Sequence, residues 1–188
     1  MIDLKGKTAL VTGGTSGIGL ATTEALITRG VSVALNARTP RPEVLADLER
    51  RAAEHGGGAI FVAGDTREAA TSEALVEAAV ARFGRVDVVV HSAGGPAPGT
   101  AISIAPDQWR DAFDVHLHSS FHLFRAAHAA LAVSGGTVVF LSSAAGLRGC
   151  PGTVAYQVVK ASLIQLARAL ARDHADEAPH RGTPPPRQ

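Results

Sequence analysis

The sequence predicts a doubly wound α/β fold, a parallel sheet with helices on both faces. Three observations carry that expectation. Short β-branched runs alternate with longer Ala/Leu-rich runs along the whole chain. The short runs are almost continuously apolar, as strands buried on both faces are. Glycines and prolines punctuate the junctions between the two kinds of run. No internal repeat at solenoid spacing competes with this reading.

The strand-like runs are TALVT (8–12), VSVALN (31–36), AIFVAG (59–64), VDVVVHSAG (86–94) and GTVVFLSS (136–143). Helical patterns fill the intervals at 17–29, 42–55, 67–83, 106–132 and 154–174. Pro42 and Pro106 stand where two of these helices open, a position at which a missing N–H is tolerated. Gly30 and Gly84 follow helix ends, where a left-handed residue closes the last turn.

With 188 residues and 46% hydrophobic side chains, the chain can bury the core of one domain. The expected organisation is a single domain over 1–177 and a disordered Pro-rich tail, APHRGTPPPRQ, over 178–188. Three consecutive prolines neither continue a helix nor enter a central strand. A net charge of +1 and 4% aromatic residues argue against nucleic acid and against an electrostatic membrane surface. The N-terminus lacks the uninterrupted apolar stretch of a leader or a membrane span. A lone cysteine, Cys150, fits a reducing compartment, so a cytoplasmic location is expected.

After the first strand comes TGGTSGIG, Thr12 to Gly19. Its glycines, Gly13, Gly17 and Gly19, open the first helix directly after a strand. That is the context for binding a dinucleotide pyrophosphate on the free N–H groups of a helix N-terminus. Gly13, Thr15, Ser16, Gly17, Ile18 and Gly19 are the candidate cradle, and a purely structural turn is the competing reading. The second strand ends LNART. Where an acidic residue would hold the ribose hydroxyls of NAD stands Asn36, with Arg38 two residues on. A guanidinium binds a 2′-phosphate, so NADP(H) is favoured over NAD(H), unless Arg38 is only a solvated loop charge. Asp65, followed by Thr66, lies after the third strand; it either accepts from the adenine amino group or caps the next helix.

The later part of the chain carries AYQVVKASL (155–163), with Tyr156 and Lys160 four residues apart on one helix face. Ser143 lies thirteen residues before Tyr156. TGGTSGIG, HSAG (91–94), Ser143 and YQVVK together resemble the short-chain dehydrogenase/reductase family over roughly residues 5–177. The resemblance implies a Rossmann-like doubly wound sheet that binds NAD(P)(H) and moves a hydride between nicotinamide and a small-molecule carbonyl or secondary alcohol. It implies Tyr156 as general acid/base and Ser143 as a holder of the substrate oxygen. Lys160 would depress the phenol pKa and reach the nicotinamide ribose. Ser92, Ala93 and Gly94 would flank the cofactor. Helices 106–132 and 154–174 would form a subunit interface, so a homo-oligomer is expected.

The sequence departs from the family in three places. The fourth-strand motif, usually NNAG, reads His91-Ser92-Ala93-Gly94; His91 either takes over a hydrogen bond of the missing amides or fills core space. His116 replaces an Asn tied to a water-linked proton route, and either carries that relay or fills the core. His118 and His122 share metal-ligand spacing, but no third ligand is evident, so no metal is expected. Beyond Leu170 no apolar run follows, so the chain is expected to lack the family's last strands and lid, to expose the fifth strand as an edge, and to be truncated or altered at its end. A catalytically weak nucleotide-binding module acting through oligomerisation is the second reading.

Overall fold

The computed structural model describes residues 3–177, so the tail at 178–188 lies outside the described residues. Five parallel strands form one sheet: β1 Thr8–Thr12, β2 Ser32–Ala37, β3 Ala59–Ala63, β4 Val88–His91 and β5 Thr137–Phe140. Their order is β3-β2-β1-β4-β5. The chain winds outward from β1 to β3, then returns to the other side of β1. That reversal leaves a crevice at the carboxyl ends of β1 and β4, where doubly wound sheets bind ligands.

The strands join α1 Gly17–Ile27, α2 Pro42–Glu54, α3 Ala69–Phe83, α4 Pro106–Phe113, α5 Ser119–Ser134 and α6 Val154–Asp173. Successive strand residues point to opposite faces. Leu10, Ala34 and Val89 therefore pack with Leu75 and Ala79 of α3 and Leu123 and Ala127 of α5. Ala9, Val11, Val33 and Leu35 pack the other way, with Ile27 of α1 and Leu48 and Ala52 of α2. A smaller cluster of Ala112, Ala155 and Val159 seats α6 against α4. No described helix is long and apolar enough to cross a membrane.

Two strands are shorter than expected, because β4 and β5 stop where the chain turns into the crevice. The single helix expected over 106–132 is interrupted by a π-helical turn, Asp114–His118, between α4 and α5. Such wide turns recur at functional sites, and this one carries the buried His116. Among the described residues β5 pairs only with β4, as an edge strand, and Val139 on it is 44% exposed.

The bases of β1 and β4 are fastened by one carboxylate. Asp87 is buried and accepts from Lys7 Nζ (3.0 Å), Thr8 N (3.0 Å), and Arg85 Nε and Nη2 (2.7 and 2.6 Å). Burial alone would raise its pKa, but the Arg85 guanidinium, the Thr8 N–H and Lys7 together hold it below the usual carboxylate value. A depressed folded-state pKa stabilises the fold above the unfolded value of about 3.9, and that contribution is lost as pH falls through the folded value. We expect Asp87→Asn to lower stability by about 1–3 kcal/mol at neutral pH. The gap from the parent should narrow below about pH 4, as read by urea unfolding midpoints. A gap independent of pH would refute the assignment.

Candidate active site

A cleft of about 1230 Å3 runs along the carboxyl ends of the strands. At one end stands the glycine-rich turn. Gly13 has a φ of +66°, and a Cβ there would lie 3.1 Å from the Ala93 backbone. A side chain on Gly19 would lie 2.2 Å from Gly13 O. These two glycines let β1, α1 and the segment after β4 close upon one another. Gly17 differs: a Cβ there would meet no protein atom within 4 Å. Ser16 is the N-cap of α1 but makes no capping bond, so the first-turn N–H groups have no side-chain partner. Thr15, Ser16, Gly17 and Ile18 line the cleft, whereas Gly19 lies behind its wall. This end fits a pyrophosphate.

Beside the turn, the side chain of Asn36 is buried and donates to Val62 O (2.9 Å) and Gly64 O (3.1 Å). It is engaged within the sheet, so the end of β2 offers no carboxylate at this place. Ala37, Arg38 and Arg41 line the cleft there, and Arg41 Nη1 approaches Thr15 O at 3.5 Å. Sequence reasoning missed Arg41, because it sits beyond the strand at no fixed spacing. Asp65 and Thr66 also line the cleft. Helix α3 starts later than expected, at Ala69, and Asp65 caps only its own turn, accepting from Arg67 N (3.0 Å) and from its guanidinium. Arg67 also reaches Asp111 of α4, and the two carboxylates raise its pKa above the usual arginine value.

Ser92, Ala93 and Gly94 form the floor. Their position is set by Thr12, whose Oγ1 accepts from Ser92 N and Ala93 N at 3.2 Å each and lies 2.7 Å from His91 Nδ1. On the other side of the ring, His91 Nε2 lies 2.8 Å from Ser119 Oγ, and that hydroxyl donates to Val115 O at 2.7 Å. The proton directions follow. Thr12 already accepts twice, so its hydrogen goes to Nδ1; Ser119 gives its own hydrogen away, so it accepts from Nε2–H. His91 is therefore neutral. Burial, aided by the Lys160 charge, pushes its pKa down to about 3. Of the two sequence readings for His91, the hydrogen-bonding one holds.

His116 stands over Gly94, where a Cβ would come within 2.4 Å of the ring. Gly94 is thus needed to admit this imidazole as well as to approach a ligand. Nε2 of His116 donates to Gly95 O at 2.9 Å, and Nδ1 is buried without a partner among the described residues. Burial, then the Lys160 charge, lowers its pKa.

The far end of the cleft carries Tyr156 and Lys160, one turn apart on α6. The Tyr156 ring meets His116 edge-on at 5.6 Å between centroids, and Lys160 Nζ lies 5.5 Å from the phenol centroid. Lys160 is only 7% exposed, and burial lowers its pKa. Its Nζ donates to Leu141 O at 2.7 Å, and Ser142 Oγ donates back to Lys160 O at 2.7 Å. This pair of bonds fixes α6 to the segment after β5. Ser142 lines the cleft and was missed; its neighbour Ser143 does not line it, and Ser143 Oγ accepts from Ala145 N at 3.2 Å. Among the described residues, no hydrogen bond joins Ser143 to Tyr156 or Lys160. His118 pairs with Asp114 at 2.7 Å, and among the described residues it shares no ligand cluster with His122.

A family model described as short chain dehydrogenase matches residues 7–178. The chain is 31% identical over 171 residues to the Caenorhabditis elegans protein "Dehydrogenase/reductase SDR family member 4", covering 89% of this chain and 65% of that one. It is 32% identical over 175 residues to the cis-2,3-dihydrobiphenyl-2,3-diol dehydrogenase of Paraburkholderia xenovorans, covering 90% of this chain and 61% of that one. It thus spans somewhat less than two thirds of the length of these two relatives. The solved NADH-dependent reductase A1-R′ complexed with NAD aligns with a TM-score of 0.87 at 30% identity, over 94% of this chain and 76% of that one. The L-sorbose reductase of Gluconobacter frateurii complexed with NADPH and L-sorbose gives 0.85 at 27% identity, over 94% and 68%. The chain belongs to the short-chain dehydrogenase/reductase family.

Proposed function

We propose that the chain is an oxidoreductase moving a hydride between a nicotinamide dinucleotide and a small carbonyl or secondary alcohol. One observation carries this reading. The Tyr156–Lys160 face opens onto the same cleft whose other end is the uncapped, glycine-rich start of α1. In carbonyl reduction the bound dinucleotide supplies the hydride. The chain's own residues then manage the proton. Tyr156 donates its phenolic hydrogen to the nascent alkoxide, and Lys160 favours the phenolate left behind. Ser143 holds the substrate oxygen, with its hydroxyl turned into the cleft. His116 Nδ1 is an unengaged acceptor that can pass a proton towards this pair.

Removing the phenol removes the proton donor but none of the phosphate cradle. Tyr156→Phe should lower turnover at least about 100-fold on a ketone panel. Binding of NADPH, followed by its fluorescence, should stay within a few-fold of the parent. Turnover unchanged in this variant would overturn the role of Tyr156.

His116→Asn should keep more activity than His116→Leu, with the difference appearing in the pH profile of kcat. Identical profiles in the two variants would reduce His116 to a core residue.

NADP(H) is favoured over NAD(H) because Asn36, at the end of β2, offers no carboxylate, while Arg38 and Arg41 line the cleft beside it. Relatives are known with each cofactor, NAD in one solved structure and NADPH in the other. The double variant Arg38→Ala, Arg41→Ala should weaken NADPH by about 10–100-fold and NADH by far less. Equal losses for both cofactors would refute a 2′-phosphate site.

The position of Ser143 supports a second reading, a nucleotide-binding module without turnover that acts as a homo-oligomer. Tight NADPH binding with no turnover on any substrate, and a multimeric mass by light scattering, would favour it.

A further inference from the structure

Away from the cleft, three side chains converge where the end of α6 meets α5. His128 projects from the middle of α5. His174 is the C-cap residue of α6, and Glu177 closes the short 3-10 turn after it. One ligand-type atom from each lies within 4.8 Å of the other two. His128 Nε2 and His174 Nδ1 are 3.2 Å apart. Glu177 brackets them, with Oε2 2.6 Å from His128 and Oε1 2.8 Å from His174.

Hydrogen bonding accounts for this arrangement only in part. If both imidazoles donate to Glu177, the two nitrogens facing each other at 3.2 Å each carry a hydrogen and repel. If one gives up its hydrogen, its short approach to the carboxylate loses its proton. One cation at the centre satisfies all three atoms at once. Two nitrogens 3.2 Å apart, each about 2.0–2.1 Å from a zinc ion, subtend about 100° at the metal, close to tetrahedral. Each ring can carry its remaining hydrogen on its other nitrogen.

The surroundings suit such a site. Phe124, one turn before His128, packs against both imidazoles, with centroids 5.5 Å from His128 and 5.2 Å from His174, which limits how they can turn away. The His128, His174 and Glu177 side chains are 35%, 32% and 42% exposed, so an ion can reach them. Two imidazoles and a carboxylate form a donor set for zinc or a neighbouring divalent transition ion, and magnesium or calcium would prefer all-oxygen ligands.

We propose that His128, His174 and Glu177 bind one divalent transition-metal ion, zinc above all, which staples the end of α6 to α5. Three protein ligands leave at least one position to water.

The test uses the full chain without an affinity tag, treated with chelator and titrated with zinc by calorimetry. The expected result is one ion per chain, with a rise of several degrees in Tm at saturating zinc. His128→Ala and His174→Ala should each weaken binding at least about tenfold. Glu177→Gln keeps hydrogen-bonding capacity but loses the charge, so it should weaken zinc similarly while leaving the metal-free Tm near the parent value. His118→Ala should change neither. Co2+ in place of zinc should give the visible bands of four- or five-coordinate ligation, lost in His174→Ala. Absence of saturable one-to-one binding would overturn the site. So would binding that survives all three ligand variants.

Discussion

The hydroxyl of Thr12, at the tip of the central strand, is where the two halves of the crevice are joined. It accepts from the backbone of Ser92 and Ala93 and gives its own hydrogen to His91. The glycine-rich turn starts at the next residue, so that turn and the floor of the cleft hang from one oxygen. The chain continues through His91 to Ser119 at the start of α5. Each donor and acceptor in it has one role, which fixes the tautomer of a buried ring. A partly satisfied network of this kind would be worse than an apolar core; here every member is used.

A second fastening sets the end of the cleft that carries Tyr156 and Lys160. Lys160 and Ser142 exchange bonds between α6 and the strand end at Leu141. Neither fastening shares a residue with the other, yet both rest on strands β1, β4 and β5, which are in register along their length. The spacing between the glycine-rich turn and the segment that holds Lys160 therefore rests on the sheet.

The sheet, its helices and the two ends of the cleft were legible in the sequence. Buried parallel strands leave an apolar run, a tight strand-to-helix turn leaves glycines, and a helical pair leaves a four-residue spacing. The remainder depended on which neighbour a side chain met. Asn36 braces β2 against the carbonyls of Val62 and Gly64, 26 and 28 residues later, which no local pattern carries. Gly94 is explained by a histidine 22 residues later, which no local pattern carries. The π-helical turn at Asp114–His118 leaves no propensity signal, since its residues would also suit an α-helix. His128, His174 and Glu177 lie 46 and 49 residues apart and meet only once α5 and α6 are side by side.

Charge ties the cleft together. His91, His116 and Lys160 occupy one buried neighbourhood, and each feels desolvation first, with the Lys160 charge lowering both histidines further. Like charges this close in a poorly solvated region would cost several kcal/mol. Both histidines are therefore neutral, and Lys160 is the one cation of the three. Its ammonium meets a carbonyl, not a carboxylate, so its charge is solvated without being cancelled. That uncancelled charge stands 5.5 Å from the centroid of the Tyr156 ring, on the same side of the cleft.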